Sequence, residues 1–172
     1  MMLSDLLTDD PYPDELLNLY NPAYVGLVVY LAGRAYYTKS KRNVPVYFPY
    51  VMFPLIAVDS CRRRLPKKAG KLSDWARQHG DALFDFPERV TSLRPFVSSG
   101  LVFLKSHSLV KRADSDGSLR FTSRKGFIGS VDSLVLSSEE VRNELDKAPI
   151  AGRLLAAEKE ISSVLAIFGL KP

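Results

Sequence analysis

The sequence predicts a mainly helical protein with a small β-hairpin, and three observations support this fold class. Within long apolar stretches, the apolar residues recur at helical spacing. A glycine-containing turn separates two strand-like segments. Of the 172 residues, 46% are apolar, which is enough for a core. The length suits one domain, which we place at 21–172 after a leader at 1–20. Helices followed by a hairpin at about 72–125 indicate a winged-helix-like unit, and 138–170 is predicted to form C-terminal helices.

The leader differs from the rest of the chain in charge. Residues 1–20 contain five acidic side chains and no basic one, so the remainder carries 24 bases against 14 acids and a net charge of +10. This asymmetry favours a polyanion or an acidic partner for the body, unless the charge serves solubility alone. Leu16, Leu19 and Tyr20 would share one face of a short helix, which we expect to dock on the body or on a partner protein.

The first long helix is predicted to begin at Asn21 and Pro22, because asparagine caps free N–H groups and proline fits the first helical position. It runs to about Lys39 and is apolar on nearly all sides. A helix of this kind is either central in a fold or shared with a partner.

A second apolar run, at 44–58, contains three prolines. We predict a helix over 49–60 with a kink at Pro54, and a strand beginning at Val44 is an alternative for the first part. Neither apolar run is long and uninterrupted enough for a membrane span, which needs about 20 apolar residues.

The segment 62–71 is strongly basic and contains no acid. It is predicted to be an exposed loop that contacts phosphate or an acidic protein, or that is only solvated. Its bases are Arg62, Arg63, Arg64, Lys67, Lys68 and Lys71.

The next segments are predicted to be helical. A short helix over 72–79 would be capped by Ser73, a second would follow over 80–88 with a bend near Pro87, and a third would occupy 89–106.

A hairpin is predicted where 109–113 and 118–122 flank a turn that contains Gly117. The region 105–125 has six bases and only two acids. This basic hairpin could touch DNA, as in many winged helices, or serve only as a protein docking module. The bases are Lys105, Lys111, Arg112, Arg120, Arg124 and Lys125.

The C-terminal part is predicted to form two helices. A serine, Ser137 or Ser138, would cap the first over 139–147. Pro149 would then begin the last helix, which ends at Gly169.

We predict no catalytic residues, no cofactor and no metal site. His79 and His107 share no motif, and Cys61, as the only cysteine, excludes an internal disulfide and a thiolate zinc cluster. Three arginines follow Cys61 and could lower its pKa, but an inert cysteine is the preferred interpretation. Because acids precede any long apolar stretch, we predict no signal peptide and expect a cytoplasmic protein.

Several short motifs occur in an order that indicates a known family. They are Asn21-Pro22-Ala23-Tyr24, the apolar run ending near Pro54-Leu55, Arg64-Leu65-Pro66, Trp75, Arg89, Gly152-Arg153 and Phe168-Gly169-Leu170-Lys171-Pro172. Over roughly 15–172, the chain resembles the middle component of three-component ABC-type systems, a group that includes the middle subunit of Lamassu-type anti-phage defence.

The resemblance implies a non-enzymatic, kleisin-like accessory subunit. In such systems an SMC-like ABC ATPase senses foreign DNA and an effector, commonly a nuclease, does the damage. The middle component is implied to bridge the ATPase and to hold the effector, with double-stranded DNA as a further contact and no membrane involved.

Two other functions remain open from the residues alone. The basic hairpin and the basic segment 62–71 also suit a stand-alone winged-helix DNA-binding regulator, whose binding should weaken with salt. An enzyme with an unrecognised site would require Cys61, His79, His107 or acids to converge in a pocket.

Overall fold

A computed structural model gives the fold, and it describes residues 20–68, 70–113, 115–123 and 138–171. Mainly helical structure with one small antiparallel hairpin is observed, which confirms the predicted fold class. The winged-helix-like and kleisin-like descriptions and the domain boundaries stay predictions. The elements are α1 (Pro22–Ser40), α2 (Pro49–Ala57), α3 (Asp59–Arg62), α4 (Leu72–Gln78), a 3-10 helix (Gly80–Leu83), α5 (Phe86–Ser106), β1 (Val110–Arg112), β2 (Leu119–Phe121), α6 (Glu139–Ala156) and α7 (Ile161–Ile167).

Helix α1 is the central element. The Asn21 side chain accepts a hydrogen bond from the Tyr24 N–H at 2.9 Å, and Pro22 occupies the first turn, as predicted. The helix packs against α2, α5, α6 and the hairpin. Its apolar residues are therefore buried on nearly all sides by the chain itself.

Two close backbone contacts set the position of α1. Gly152 of α6 lies against the backbone of Ala32, and a Cβ atom added at Gly152 would overlap with it. A Cβ added at Gly100 of α5 would lie 2.9 Å from the Gly26 nitrogen. Glycine lets helix backbones approach this closely because it carries no side chain.

The second apolar run forms α2 and α3 instead of one helix over 49–60. The break falls at Val58, whose backbone is extended. Val44 pairs with Leu119 in an isolated bridge. The nitrogen-to-oxygen distance is 2.9 Å for the Val44 N–H and 2.7 Å for the Leu119 N–H. Pro45 follows directly and has no N–H to donate to a ladder, so the strand considered at Val44 ends after one residue.

The hairpin occurs where it was predicted. Val110 pairs with Phe121 and Arg112 with Leu119. The Tyr30 hydroxyl donates to the Thr122 carbonyl at 2.7 Å, and the Phe121 ring lies over a glycine of α1, so the hairpin is held on the central helix.

The region between α4 and α5 differs in detail from the prediction. Lys71, not Ser73, occupies the N-cap position of α4, and no side chain caps that helix. The segment 80–83 forms a 3-10 helix, after which α5 continues without a break to Ser106. Pro87 lies in the first turn of α5. Backbone N–H groups at that position have no acceptor within the helix, so the proline breaks no hydrogen bond there.

Helix α6 continues through Pro149, so the prediction that Pro149 begins the last helix was wrong. Ser138 caps α6 by accepting the Val141 N–H at 3.5 Å, while Ser137 lies outside the described residues. The small residues beside Pro149, Ala148 and Ala151, are fully buried. Packing of this face on α1 outweighs the backbone hydrogen bond that the proline cannot make.

None of the helices in the described residues combines the length and the apolar character that crossing a bilayer requires.

We expect Gly152→Ala to lower the free energy of unfolding by about 3 kcal/mol, because the new methyl group must push α6 away from α1. Gly80→Ala is the matched control, since nothing lies within 4 Å of a Cβ at that position, and its effect should stay within about 0.5 kcal/mol. Urea unfolding followed by Trp75 fluorescence measures both. Equal effects of the two substitutions would contradict the close α1–α6 packing.

Candidate interaction surface

Arg62 does not belong to an exposed basic loop, so this part of the prediction was wrong. The residue ends α3 and its side chain is only 4% exposed. Nη1 donates to the carbonyl oxygens of Ile56 at 2.8 Å and Ala57 at 3.1 Å. Arg62 thereby satisfies carbonyls at the end of α2, which have no partner within that helix.

The charge of Arg62 is balanced by acids of α3 and α6. Glu144 lies 2.9 Å from Nη1, and Nη2 contacts Asp59 at 3.0 Å and Glu140 at 3.4 Å. Burial raises the pKa of Glu144 to about 7. A guanidinium at the 2.9 Å distance of Arg62 favours the carboxylate and so acts against burial. The cluster joins α2 and α3 to α6 and leaves Arg62 no free face for a partner.

The other bases of 62–71 are divided between internal and exposed positions. Arg64 is partly buried and donates to the Ser60 carbonyl at 2.8 Å and to Asp81 at 2.6 Å. Arg63 is 77% exposed and pairs with Asp59 at 2.8 Å. The remaining exposed bases of the segment are Lys67, Lys68 and Lys71.

Three of the motif residues that carry the family resemblance hold this region together. The Trp75 indole N–H donates to the Arg64 carbonyl at 2.7 Å, and the ring is buried, which confirms its expected packing role. Arg89 donates to the Ser60 hydroxyl at 3.0 Å and to Asp85 at 2.8 Å. These positions therefore have structural roles in this chain.

The hairpin presents its predicted bases to solvent. Lys111, Arg112 and Arg120 are exposed, and Lys111 lies directly opposite Arg120 in the register. Like charges in such a cross-strand pair repel one another and cost stability. An anionic partner would relieve this repulsion. Arg124 and Lys125 lie outside the described residues.

A groove lies between the hairpin and the last two turns of α5. Its volume is about 440 Å³. Val102, at 67% exposure, and Val46, at 42%, are large apolar side chains open to solvent there. The groove is lined by Val46, Leu101, Val102, Lys105, Ser108, Val110, Lys111, Arg112 and Leu119.

Sequence reasoning did not identify Val46 and Val102 as surface residues. A signal was present at Val102, because it lies beside the buried stripe of α5 that contains Val97 and Leu104. An apolar residue off the buried face of an amphipathic helix is a candidate for an exposed contact.

The leader is described only at its last residue. Tyr20 is half-buried, and its ring lies 5.5 Å from that of Phe53 and 5.3 Å from that of Phe96. Tyr20 therefore packs on the body of the same chain. Leu16 and Leu19 lie outside the described residues.

The residues considered for chemistry do not come together. Cys61 is buried, its thiol donates to the Ala82 carbonyl at 3.4 Å, and burial raises the pKa of that thiol, which disfavours the reactive thiolate. His79 packs beside Trp75, and His107 is exposed beside Phe103. Within the described part of the chain, no three side chains of His, Cys, Asp or Glu form a cluster that could hold a metal ion.

We expect Arg62→Ala to lower the free energy of unfolding by about 3 kcal/mol, because it leaves Glu144 buried without its cation and frees two carbonyls. Arg63→Ala is the matched control. The Arg63 side chain is exposed, and an exposed ion pair contributes about 0.5 kcal/mol at most. Urea unfolding at pH 7.5 compares the two variants. An Arg62→Ala protein as stable as Arg63→Ala would contradict the internal role of Arg62.

Glu144 should make stability depend on pH. Its folded-state pKa of about 7 lies above the usual value of 4.5 for a glutamate, so the folded protein holds the proton more tightly. The contribution of Glu144 is therefore fully present below about pH 4.5 and lost as the pH rises through about 7, by at most about 3 kcal/mol. Glu144→Gln is the reference variant, because its side chain cannot titrate. We expect the unsubstituted protein to lose stability relative to this variant as the pH rises through the window, as measured by the free energy of unfolding. A relative gain in stability would mean that the attraction of Arg62 for the Glu144 carboxylate outweighs the effect of burial.

Comparison with protein families agrees with the motif order noted in the sequence. A family model described as ABC-three component (ABC-3C) system Middle Component 3 matches residues 10–172, which is nearly the whole chain. Neither the curated proteins nor the solved structures gave a match. The match includes the central helix, the hairpin and both C-terminal helices. The chain therefore belongs to the middle-component family of ABC-type three-component systems.

Proposed function

We propose that this protein is a non-catalytic bridging subunit that links an SMC-like ABC ATPase to a nuclease-type effector in an anti-phage or anti-plasmid defence complex. The family match carries the proposal, because a middle component is an accessory subunit that works with the other components of an ABC three-component system. Bridging, the nuclease effector and help in DNA sensing are the finer parts of the proposal. We expect the complex in the cytoplasm.

The surface of the chain supports a role in assembly. Phe84, which is 90% exposed, lies just before α5, and Val102, which is 67% exposed, lies near the end of that helix. Exposed large apolar side chains next to charged ones are typical of protein contacts. A subunit that touches two partners needs at least two such areas, and these residues lie in different regions of the chain.

A second candidate function is a stand-alone winged-helix DNA-binding regulator. The like-charged pair of Lys111 and Arg120 on the exposed hairpin favours it, because phosphates would neutralise that repulsion. The same hairpin could contact double-stranded DNA within the larger complex, so the two functions share this surface.

Co-expression tests the bridging function. The tagged chain is expressed with the products of the genes beside its own, and the eluted complex is weighed by light scattering. We expect a stoichiometric complex that contains a large ATPase and an effector, with a mass that gives the number of subunits.

The reciprocal purification is the control. A tag on the ATPase should recover the effector only when this chain is present, since the chain is proposed to link them. Recovery of the effector without this chain would contradict bridging. A chain that elutes alone, and whose affinity for duplex DNA falls steeply with salt, would favour the DNA-binding regulator.

A further inference from the structure

We propose that the groove between the end of α5 and the hairpin binds an acidic amphipathic helix of a partner subunit. The inference rests on the proposed function, because it assigns to this groove one of the contacts that a bridging subunit must make. The occupant presents apolar side chains to the groove and carboxylates to its rim.

The groove is largely apolar. Leu101 and Val102 line it from α5, and Val110 and Leu119 line it from the hairpin. Its volume of about 440 Å³ can hold a few apolar side chains. An apolar groove of this kind is suited to helix-in-groove recognition, in which residues three and four apart on one helix face fill the floor.

The rim is basic. Lys105, Lys111 and Arg112 line the groove, and no acidic residue is among its described lining. Arg120 adds a fourth positive charge directly across from Lys111. Since like charges repel, a ligand with carboxylates gains attraction and reduces this repulsion. Charge complementarity thus selects an acidic segment.

The apolar lining favours a polypeptide over a nucleic acid. A duplex offers phosphates and sugars along its outer surface, which would pair with the lysines but leave Leu101 and Val102 without apolar contacts. Leucine or valine side chains from a partner helix would cover both. Removing that apolar surface from water adds to the electrostatic attraction.

The two walls of the groove are fixed in place before any partner binds. The Leu109 N–H donates to the Leu104 carbonyl at 2.8 Å, and the Ser108 N–H donates to the Lys105 carbonyl at 3.0 Å, which connects α5 rigidly to β1. The bridge between Val44 and Leu119 holds the segment that carries Val46. A preformed groove loses little conformational entropy on binding.

Cross-linking from the groove tests the identity of the occupant. In the full complex, Val102→Cys supplies an exposed thiol, which is labelled with a benzophenone, while Cys61 is buried. Phe84→Cys, labelled in the same way, is the matched control at another exposed apolar position. We expect position 102 to cross-link to a helical segment of the ATPase or effector rich in Asp and Glu, and position 84 not to reach that segment.

Substitutions test whether the contact contributes to binding. Val102→Asp should weaken binding to the partner by about tenfold or more, because a carboxylate replaces an apolar contact and repels the acidic helix. Lys111→Glu should weaken it too, and more so at low salt. Ile161→Asp and Arg94→Glu are the controls, since both residues are exposed and lie outside the groove.

The possible outcomes separate this inference from the proposed function. Cross-links from position 102 to DNA, to a second copy of the chain, to its own residues 1–19 or to a segment without acids overturn the groove inference. So does a Val102→Asp complex with unchanged affinity, while the bridging function stands. If the unsubstituted chain forms no complex with an ATPase, the proposed function fails and this inference fails with it.

Discussion

The close contact of α1 with its neighbours is the constraint on which the rest of the structure depends. Gly152 lies against the backbone of Ala32, and Gly26 lies against Gly100, so α6 and α5 both approach α1 more closely than larger residues would allow. Close approach brings the side chains on either side of each contact into one buried cluster. The central helix thus serves as a fixed axis, and the positions of α5 and α6 follow from it.

The packing of neighbouring elements on α1 also determines the geometry of the candidate interaction surface. The Phe121 ring lies over Gly33 of α1, and Tyr30 donates to the Thr122 carbonyl, so the hairpin is held against the same helix that holds α5. The groove forms where these two elements diverge. Its apolar lining and basic rim therefore lie on a rigid part of the molecule, as a contact between subunits requires.

Neighbouring arginines show why charge counts alone do not locate a binding surface. Arg62 and Arg63 are adjacent in a strongly basic segment, yet the first is buried among Glu144 and carbonyl groups and the second is 77% exposed. Consecutive residues of a helix point about 100° apart, so one can face α6 while the next faces solvent. The sequence could predict the net charge of the segment but not this division. Val102 is the opposite case, since it is apolar and yet exposed, off the buried face of α5.

Local sequence by itself determined the beginning of α1, the position of the hairpin, the helical content and the order of motifs that indicates the family. These features depend on caps, turns and periodicity, which act over a few residues. Tertiary structure decided that α6 continues through Pro149, that Arg62 is internal and that a groove opens beside Val102. The physical reason is that each of these depends on residues distant in sequence. Packing on α1 stabilises a helix that proline alone would end, and Glu144 lies far along the chain from Arg62. The groove forms between α5 and the hairpin, both of which pack on α1.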